Sequence, residues 1–294
     1  MEKIIVEEGN ERLDNYLSHI LEMTRSQIKK NIDNIYVNGI NQKCGYILNK
    51  NDIITYEIKV DEDIKPENIK IDIVYEDDDI MVINKPNGLV VHPGAGNSSG
   101  TLVNALMYLS KNLSDINGEY RPGIVHRIDA YTTGLLVIAK NNEAHNILAE
   151  EIKEKKAKRK YLALVWGVIN NNSGTIDAPI GRDPNNRLKM KVTDINSKEA
   201  VTHFKVLKRF KRASLLEVSL ETGRTHQIRC HMEYIGHPIV NDPVYGKRNL
   251  IDNTGQVLHA FELELVHPKT GEIMKFNAEI PECFNKILNM FEEE

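Results

Sequence analysis

A loop rich in ionisable side chains lies directly before a fully apolar segment of the chain. The loop has the sequence HRID at positions 126–129, and the apolar segment is Leu135–Ala139. A buried strand fixes the residues at its end, so this arrangement can hold the carboxylate of Asp129 in one geometry at the edge of a core. The pattern makes Asp129 a candidate for a site carboxylate. A surface turn in which Asp129 is an ordinary cap or ion-pair partner fits the same residues.

A second segment, residues 221–232 (ETGRTHQIRCHM), concentrates hydrogen-bond donors. The donors of interest are Arg224, His226, Gln227 and Arg229. Fixed donors of this kind bind phosphates, or a nucleotide base that has left its stack. Arg229 is also a suitable partner for Asp129, because a nearby cation keeps a carboxylate ionised inside a pocket. The alternative interpretation is the basic, solvated start of a helix.

A cationic run leads into an aromatic residue further along the chain. Residues 153–160 carry five lysines and Arg159, and Tyr161 follows them. Such a run is suited to a strand of RNA, with phosphates on the lysines and a base on the aromatic ring. A solvated helix face, with Tyr161 in the core, is the other interpretation.

The elements that position these residues form two parts. The apolar pattern of residues 11–60 predicts a small α+β unit, and the charged composition of residues 61–70 predicts a linker. The elements predicted in the first part are a helix at 13–21, a second helix at 25–30 capped by Thr24, a strand at 35–37, a turn at Asn38-Gly39 and a strand at 52–58. This part alone indicates only a small mixed module.

From residue 71 to residue 294 short apolar runs recur between clusters of glycine, proline and asparagine. The runs are Ile71–Val74, Ile80–Ile83, Leu135–Ala139, Tyr161–Val168, Thr202–Leu207, Leu215–Leu220, Leu263–Val266 and Lys275–Ile280. Helical patterns are fewer, and the best are Thr101–Leu109 and Glu143–Lys156. The fold class expected is therefore α+β, with a large mixed, mostly antiparallel sheet and a few helices.

Composition narrows the possible functions only modestly. The net charge of −4 does not favour a nucleic-acid binder, although a local basic surface is sufficient to bind phosphates. No apolar run approaches the roughly 20 residues of a membrane-spanning helix, so a cytoplasmic protein without a membrane partner is expected. The glycine-rich loop at 92–100 lacks a P-loop ending, and no nucleotide cofactor is expected. A monomer is the default expectation.

Metal chemistry is the first rival interpretation. The three cysteines are isolated and contain no CxxC pair, so a cysteine-based zinc site is not expected. A metal-dependent hydrolase would have to use His126, Asp129, His226 and His231. These residues lack the HExxH pattern of a zinc helix, and no metal is therefore expected.

Five stretches of the chain resemble the pseudouridine synthases of the RluA family. They are residues 83–106, 121–140, 158–167, 221–246 and 258–268, and they run in order through nearly all of residues 71–283. The HRxD block at 126–129 is the most diagnostic of them. The front segment resembles an S4 RNA-binding domain, and its markers are Arg12-Leu13-Asp14, Thr24–Gln27, Lys29-Lys30 and Val37-Asn38-Gly39.

The resemblance implies an S4 domain at 11–60, a linker at 61–70 and a catalytic domain with the pseudouridine synthase fold at 71–294. It implies an enzyme that converts uridine to pseudouridine in structured RNA without a cofactor. Because an S4 module precedes the catalytic part, large-subunit ribosomal RNA is favoured over tRNA. The S4 helices would present Arg25, Lys29 and Lys30 to RNA.

Roles at the catalytic site follow from the resemblance position by position. Asp129 matches the catalytic aspartate, and Arg229 matches the basic residue paired with it. Arg127 matches an arginine suited to enter the space that the flipped nucleotide leaves. Tyr161 matches the tyrosine that stacks on the target base and takes part in the late proton step. Whether the aspartate attacks C1′ or removes a ribose proton stays open.

The sequence departs from the family pattern immediately after the aspartate. Ala130 and Tyr131 stand where the family carries a basic and then an acidic residue. Loss of the acidic side chain is expected to loosen the catalytic loop. A second rival interpretation follows, namely a non-catalytic RNA-binding or ribosome-assembly factor that keeps the fold. Retention of Asp129, Tyr161 and Arg229 argues against it.

Overall fold

The computed structural model of the chain describes residues 1–23, 25–58, 64–94, 97–110, 113–116, 122–246 and 250–293. The expected helix cap Thr24 and the first part of the predicted linker, residues 61–63, lie outside these ranges. The chain divides into two compact units, Met1–Asp63 and Ile64–Glu294. None of the helices in the described ranges combines the length and apolar character needed to cross a bilayer.

The first unit packs two short helices against a small antiparallel sheet. Its elements are β1 (Glu2–Ile5), α1 (Leu13–Ile20), α2 (Arg25–Lys30), β2 (Ile35–Val37), β3 (Ile40–Asn41) and β4 (Ile53–Tyr56), with strand order β1-β4-β2-β3. Leu13, Leu17 and Ile28 from the helices are buried in one cluster with residues of the sheet. Leu13, Leu17, Ile20 and Leu21 have the spacing of one apolar helix face, but the side chain of Ile20 is exposed.

An arginine pair fixes the start of α1 to α2. Arg12 and Arg25 both donate to the carboxylate of Asp14, at 2.9 Å and 2.7 Å. The hydrogen bond from Arg12 holds the pKa of Asp14 at about 2, although burial opposes the charge. Arg25, predicted to contact RNA, is therefore partly engaged within its own unit, although its side chain remains half-exposed.

The second unit is built on one nine-stranded sheet with helices around it. Its elements are β5 (Asp72–Glu76), β6 (Ile80–Lys85), α3 (Leu102–Leu109), β7 (Thr133–Ala139), α4 (Asn142–Lys153), β8 (Lys158–Trp166), β9 (Ser173–Asp177), β10 (Ile180–Arg182), β11 (Met190–Val192), β12 (Val201–Arg209), β13 (Ala213–Leu220), α5 (Gln227–Tyr234), β14 (Leu258–Val266), β15 (Ile273–Asn277) and α6 (Glu282–Glu292). The order is β5-β6-β7-β14-β8-β13-β12-β9, and β15 pairs with β14.

The sheet is mixed but mostly antiparallel. Strands β14 and β7 pair in parallel, and the other pairings of this sheet are antiparallel. Each of the eight predicted apolar runs overlaps a strand, and both predicted helices are present. The predicted α+β fold class is therefore confirmed.

Strand β7 forms the rigid base of the loop that carries Asp129. Every residue of the strand is buried. Because side chains alternate between the two faces of a strand, Leu136 and Ile138 pack into one hydrophobic cluster and Leu135 and Val137 into another. Burial on both faces explains why this segment lacks the polar alternation of a surface strand.

The later part of the predicted linker belongs to the second unit. Asn104 donates through Nδ2 to the carbonyl of Lys65 at 2.8 Å, and the backbone N–H of Glu67 donates to the Asn104 carbonyl at 3.0 Å. Ile64 packs against the main hydrophobic cluster. The charged composition of residues 61–70 did not indicate this docking, since it uses backbone atoms, the apolar side chain of Ile64 and the Glu67 carboxylate, which accepts the backbone N–H of Gly100 at 3.0 Å.

Candidate active site

Seven of the ten predicted site residues line one open pocket of roughly 420 Å³ in the second unit. They are Arg127, Asp129, Tyr161, Arg224, His226, Gln227 and Arg229. Arg159 and Gly223 line the same pocket. The remaining three, Arg25, Lys29 and Lys30, lie on α2 in the first unit.

Arg229 is shared between two carboxylates at the base of the pocket. Its Nη1 donates to Asp129 at 2.9 Å, while Nε and Nη2 donate to the two oxygens of Asp242 at 2.7 Å and 2.9 Å. The arginine is 4% exposed and Asp242 is fully buried. Burial opposes the charge of the guanidinium, yet the hydrogen bonds and charges of the two carboxylates raise the pKa of Arg229. The arrangement holds one oxygen of Asp129 and leaves the carboxylate facing the pocket.

Sequence reasoning missed Asp242. Its Oδ1 also accepts hydrogen bonds from the backbone N–H groups of Val244 and Tyr245, so the tight turn after it fixes the carboxylate. The Arg229 guanidinium lies 5.1 Å from the centre of the Tyr245 ring. A buried arginine needs more than one acceptor to satisfy its planar donors. The sequence NDP within a segment of the resemblance was the available signal.

A buried lysine holds the loop that follows Asp129. Lys85 is 1% exposed, and its Nζ donates to the carbonyls of Ala130, Pro86 and Leu89 at 2.7–2.9 Å. Three carbonyl acceptors match the three N–H donors of an ammonium group. Burial acts against the charged form and lowers the pKa of Lys85 to about 7. Sequence reasoning missed this residue because its partners are backbone atoms, one of them 45 positions away.

Other contacts replace the acidic side chain that the family pattern places at position 131. Tyr131 packs so closely on Gly255 that a Cβ there would lie 2.4 Å from the Tyr131 side chain. Gln256 donates to the Thr132 hydroxyl at 3.1 Å, and the Thr132 N–H donates to the Asp129 carbonyl at 3.1 Å. These contacts and the hydrogen bonds of Lys85 link the loop to neighbouring elements, and the expected loosening of the loop stays a prediction.

Strand β8 contributes Tyr161 to the wall of the pocket. Tyr161 is 5% exposed and packs in the main hydrophobic cluster. Burial raises the pKa of its phenol, which keeps the hydroxyl protonated near neutral pH. The side chain thus presents a neutral aromatic surface to the pocket.

The five lysines of the cationic run are all paired with glutamates. The pairs are Lys153–Glu150, Lys155–Glu221, Lys156–Glu154, Lys158–Glu264 and Lys160–Glu262. The lysines also lie outside the pocket, since none of them lines it. Each lysine on the predicted path for RNA phosphates therefore has a glutamate partner, and an RNA contact along this run stays a prediction.

His226 precedes helix α5 in the left-handed region, with φ 56°. Its Nε2 lies 3.8 Å from Asp129 Oδ1, and its Nδ1 lies 3.2 Å from the hydroxyl of Tyr245. Burial lowers the pKa of His226, which favours the neutral ring near pH 7. The residue can therefore exchange hydrogen bonds beside the carboxylate without adding a second fixed positive charge.

Gln227 lines the pocket, and its side-chain amide is hydrogen-bonded within the protein. The side chain is 3% exposed, and its oxygen accepts from the Thr222 hydroxyl at 2.8 Å and the Arg224 N–H at 2.9 Å. Its Nε2 donates to the Val201 carbonyl and the Thr202 hydroxyl at 3.0 Å. These internal bonds tie the start of α5 to the sheet, and a contact of Gln227 with RNA stays a prediction.

Two arginines stand at the mouth of the pocket. Arg127 is exposed. Arg224 is half-exposed, and its Nε donates to the Glu199 carbonyl at 2.8 Å. Their guanidinium groups are therefore available to an anionic ligand at the entrance.

The four residues of the metal-hydrolase alternative do not converge. His126 Nε2 accepts the Val137 backbone N–H, and burial lowers the pKa of this ring to about 3. His231 is bonded to the Thr202 hydroxyl and the Ala178 carbonyl, away from Asp129. Within the described ranges, the one side-chain group with metal-ligand geometry is Asp77, Asp79 and His267, none of which lines the pocket.

The chain is an α+β protein with a carboxylate at the base of an open pocket, and comparison with known proteins identifies its family. The sequence profile described as RNA pseudouridylate synthase matches residues 79–234. The chain belongs to this family of RNA-modifying enzymes.

Relatives match nearly the whole chain. It is 48% identical over 287 residues to the RNA pseudouridine synthase YlyB of Bacillus subtilis, covering 96% of this chain and 94% of the relative. It is 41% identical to the ribosomal large subunit pseudouridine synthase D of Pasteurella multocida, covering 95% and 90%. The solved structure of human RNA pseudouridylate synthase domain containing 4 superposes with a TM-score of 0.60 at 25% identity, covering 75% of this chain and 93% of that one.

Proposed function

We propose that this enzyme isomerises specific uridines of large-subunit ribosomal RNA and that Asp129 is its catalytic carboxylate. The observation that carries the proposal is the 2.9 Å hydrogen bond from Arg229 to Asp129. Arg229 is itself held by a second hydrogen bond to the buried Asp242. The ribosomal substrate is supported by relatives named for the large ribosomal subunit, including that of Pasteurella multocida.

Pseudouridine formation breaks the N1–C1′ bond and joins C5 to C1′ of the same nucleotide. The detached uracil must turn before it can escape, so the nucleotide has to leave its stack and enter a pocket. The open pocket beside Asp129 provides such a place, with Tyr161 as the aromatic wall on which the base would stack.

Asp129 acts through its carboxylate in either version of the reaction. It attacks C1′ as a nucleophile, or it removes a ribose proton as a base. Arg229 supports both routes, because it fixes one carboxylate oxygen and stabilises the charge. Tyr161, kept protonated by burial, is suited to take part in the late proton step.

The cations at the mouth of the pocket are proposed to hold the RNA. Arg127 would enter the space that the flipped nucleotide leaves, and Arg224 would contact phosphate. His226 would contact the target nucleotide beside Asp129. Both arginines expose guanidinium groups that suit bidentate contacts with phosphate.

The first unit is proposed to be an S4 RNA-binding domain at residues 11–60. Its helix α2 carries Arg25, Lys29 and Lys30 within six residues. Cations on consecutive turns of a helix suit the phosphates of structured RNA. A uridine in tRNA remains the alternative substrate.

The test uses ribosomal RNA and tRNA from a strain that lacks the enzyme. The purified protein is incubated with each RNA, and pseudouridine is mapped by carbodiimide modification and primer extension. Wild type and Asp194→Asn, which alters an exposed aspartate outside the pocket, are expected to give stops in large-subunit RNA. Asp129→Asn is expected to give none while binding RNA with nearly unchanged affinity.

Each result decides between the interpretations. Stops in tRNA alone would replace the substrate and keep the mechanism. Pseudouridine formed by Asp129→Asn at a comparable rate would refute the role of the carboxylate. RNA binding without any pseudouridine in wild type would favour the non-catalytic assembly factor.

A further inference from the structure

Arg159 is a buried cation without an acidic partner in the described part of the chain. The residue is 8% exposed, and its Nε has no hydrogen-bond acceptor among the described residues. No carboxylate of these residues lies within ion-pair distance of it. Burying a charged group without a compensating partner is costly, so such a group is expected to serve a ligand.

The neighbours of Arg159 show that this isolation is specific to one position. Lys158 and Lys160 on the same strand are paired with Glu264 and Glu262 of β14. The residue of β14 opposite Arg159 is Leu263. The strand pairing therefore supplies a carboxylate to each adjacent lysine and an apolar side chain to the arginine.

Arg159 faces the same pocket as Tyr161. Residues two apart on a strand point to one side and are separated by about 7 Å, and both residues line the pocket beside Asp129. Gly223 faces the guanidinium, and a Cβ at that position would lie 3.2 Å from Nη1. The absence of a side chain at Gly223 leaves the guanidinium uncovered toward the pocket.

The reaction moves one negative charge toward this group. When N1–C1′ breaks, its electron pair stays on uracil, whose charge spreads over N1 and the carbonyl oxygens. Asp129 loses its charge in the same phase, because it either bonds to C1′ or takes a ribose proton. Arg229 is then balanced by Asp242 through two hydrogen bonds. The uracil anion is left as the uncompensated charge.

We propose that Arg159 is a catalytic residue that donates a hydrogen bond to a carbonyl oxygen of the target uracil and stabilises the uracil anion between detachment and reattachment. This inference rests on the proposed function of the pocket. A donor aimed at developing charge in a dry site accelerates the step that creates the charge. Arg159 would thus act on the departing base, opposite to the pair formed by Asp129 and Arg229 on the sugar side.

The first experiment compares wild type, Arg159→Met, Arg159→Lys and Lys158→Met on a uridine-containing RNA fragment. Arg159→Met is expected to lower the single-turnover rate roughly 100-fold, with Kd for RNA changed by less than about threefold. Arg159→Lys should recover part of the rate, because it restores a cation. Lys158→Met, which removes a paired lysine outside the pocket, should keep the wild-type rate.

Thermal unfolding separates this role from a structural one. Arg159→Met is expected to melt at the same or a higher temperature than wild type, because an apolar side chain replaces an unpaired buried charge. A structural arginine would instead leave the variant less stable. A clear fall in Tm together with partial unfolding by circular dichroism would overturn the proposal.

A better leaving group provides the sharpest test. The anion of 5-fluorouracil is more stable than that of uracil, so cleavage of 5-fluorouridine depends less on the cation. Arg159→Met should slow cleavage of the fluorinated nucleotide less than that of uridine. Equal slowing, a normal rate, or a weakened Kd with a normal rate would each overturn the role assigned to Arg159. Inactive wild-type protein would instead refute the proposed function itself.

Discussion

At the scale of single residues, the site depends on a side chain that never reaches the pocket surface. Asp242 accepts a hydrogen bond from Nε of Arg229, and Asp129 accepts one from Nη1 of the same guanidinium. Asp242→Asn keeps the shape and removes the charge. We expect it to cost about 3 kcal/mol of unfolding free energy, because a buried ion pair loses one member. We expect the rate to fall about tenfold to 100-fold, because Arg229 is no longer held in position.

Chemical denaturation and single-turnover kinetics measure both effects of Asp242→Asn. The exposed substitution Asp194→Asn is the matched control, and it should change neither quantity. Wild-type kinetics in Asp242→Asn would show that Arg229 holds its position without the carboxylate of Asp242.

His126 gives the protein a dependence of stability on pH. Burial lowers the pKa of its ring from 6.5 to about 3. Between these values the unfolded chain binds a proton that the folded chain does not, so the unfolding free energy falls as the pH falls. The slope from this residue is at most about 1.4 kcal/mol per pH unit.

Denaturation midpoints of wild type and His126→Gln across pH 7 to 5 measure this contribution. The glutamine oxygen can accept the Val137 N–H that the histidine ring accepts now. We expect wild type to lose up to about 2 kcal/mol relative to the variant over this range. Parallel pH profiles would show that another group causes the acid sensitivity.

Residue types in the sequence identified most of the side chains that line the pocket. The hydrogen-bonding and ion-pair partners of these side chains could not be predicted from the sequence. Asp129, Tyr161 and Arg229 stand in motifs whose donors and acceptors are unusual enough to notice, and all three line the pocket. The partners of Lys85 are carbonyls, which any residue provides. The lack of an acidic partner opposite Arg159 depends on the pairing of β8 with β14, which a single sequence does not specify.

At the scale of elements, the close approach of β7 and β14 positions the loop that carries Asp129. Gly134 has φ +110°, and a Cβ on it would lie 2.2 Å from the Ala260 carbonyl oxygen. Gly134→Ala must push the two strands apart or change the backbone of β7. We expect it to destabilise the protein by about 3 kcal/mol or more and to abolish most activity.

The matched control for this glycine is Gly94→Ala, because Gly94 has ordinary φ and a Cβ there would meet no atom of the described residues within 4 Å. Thermal unfolding and turnover of both variants should show a loss at position 134 alone. A stable and active Gly134→Ala would mean that β7 and β14 can separate without disturbing Asp129.

Sequence patterns revealed the central strands most clearly, because β6, β7, β8, β13 and β14 have neighbours on both sides and are mostly buried or half-buried. Strands β5 and β15, which each pair with one neighbour, also coincide with predicted runs although most of their residues are exposed. Edge strand β9, of which only Ile176 is buried, was missed. Helix α6 was missed although Phe284, Ile287, Leu288 and Phe291 are its buried face, because its helical period was not separated from the end of the last apolar run.

At the scale of the whole molecule, the pocket is contained in the second unit. The hydrophobic clusters around β7 and β8 and all of the pocket residues lie between Ile64 and Glu294. We expect residues 64–294 alone to fold and to keep the kcat of the full chain on a short RNA. If the first unit binds RNA as proposed, KM should rise at least about tenfold, or ~1.4 kcal/mol.

Steady-state kinetics of the full chain and of residues 64–294 on the same RNA test this division of labour. The fragment carrying Asp129→Asn is the control for residual activity from contaminating enzyme. An unchanged KM would show that the first unit does not bind this substrate, whereas a loss of kcat would show that it contributes to catalysis.

The paired lysines along residues 153–160 also determine how the protein responds to ions in solution. Each of the five lysines is already paired with a glutamate. RNA that approached these lysines would therefore release few of its condensed counterions. The dependence of binding on salt concentration is then set by the smaller group of cations that keep donors free for phosphate, such as those at the mouth of the pocket. The abundance of lysine in this chain therefore overstates its attraction for a polyanion.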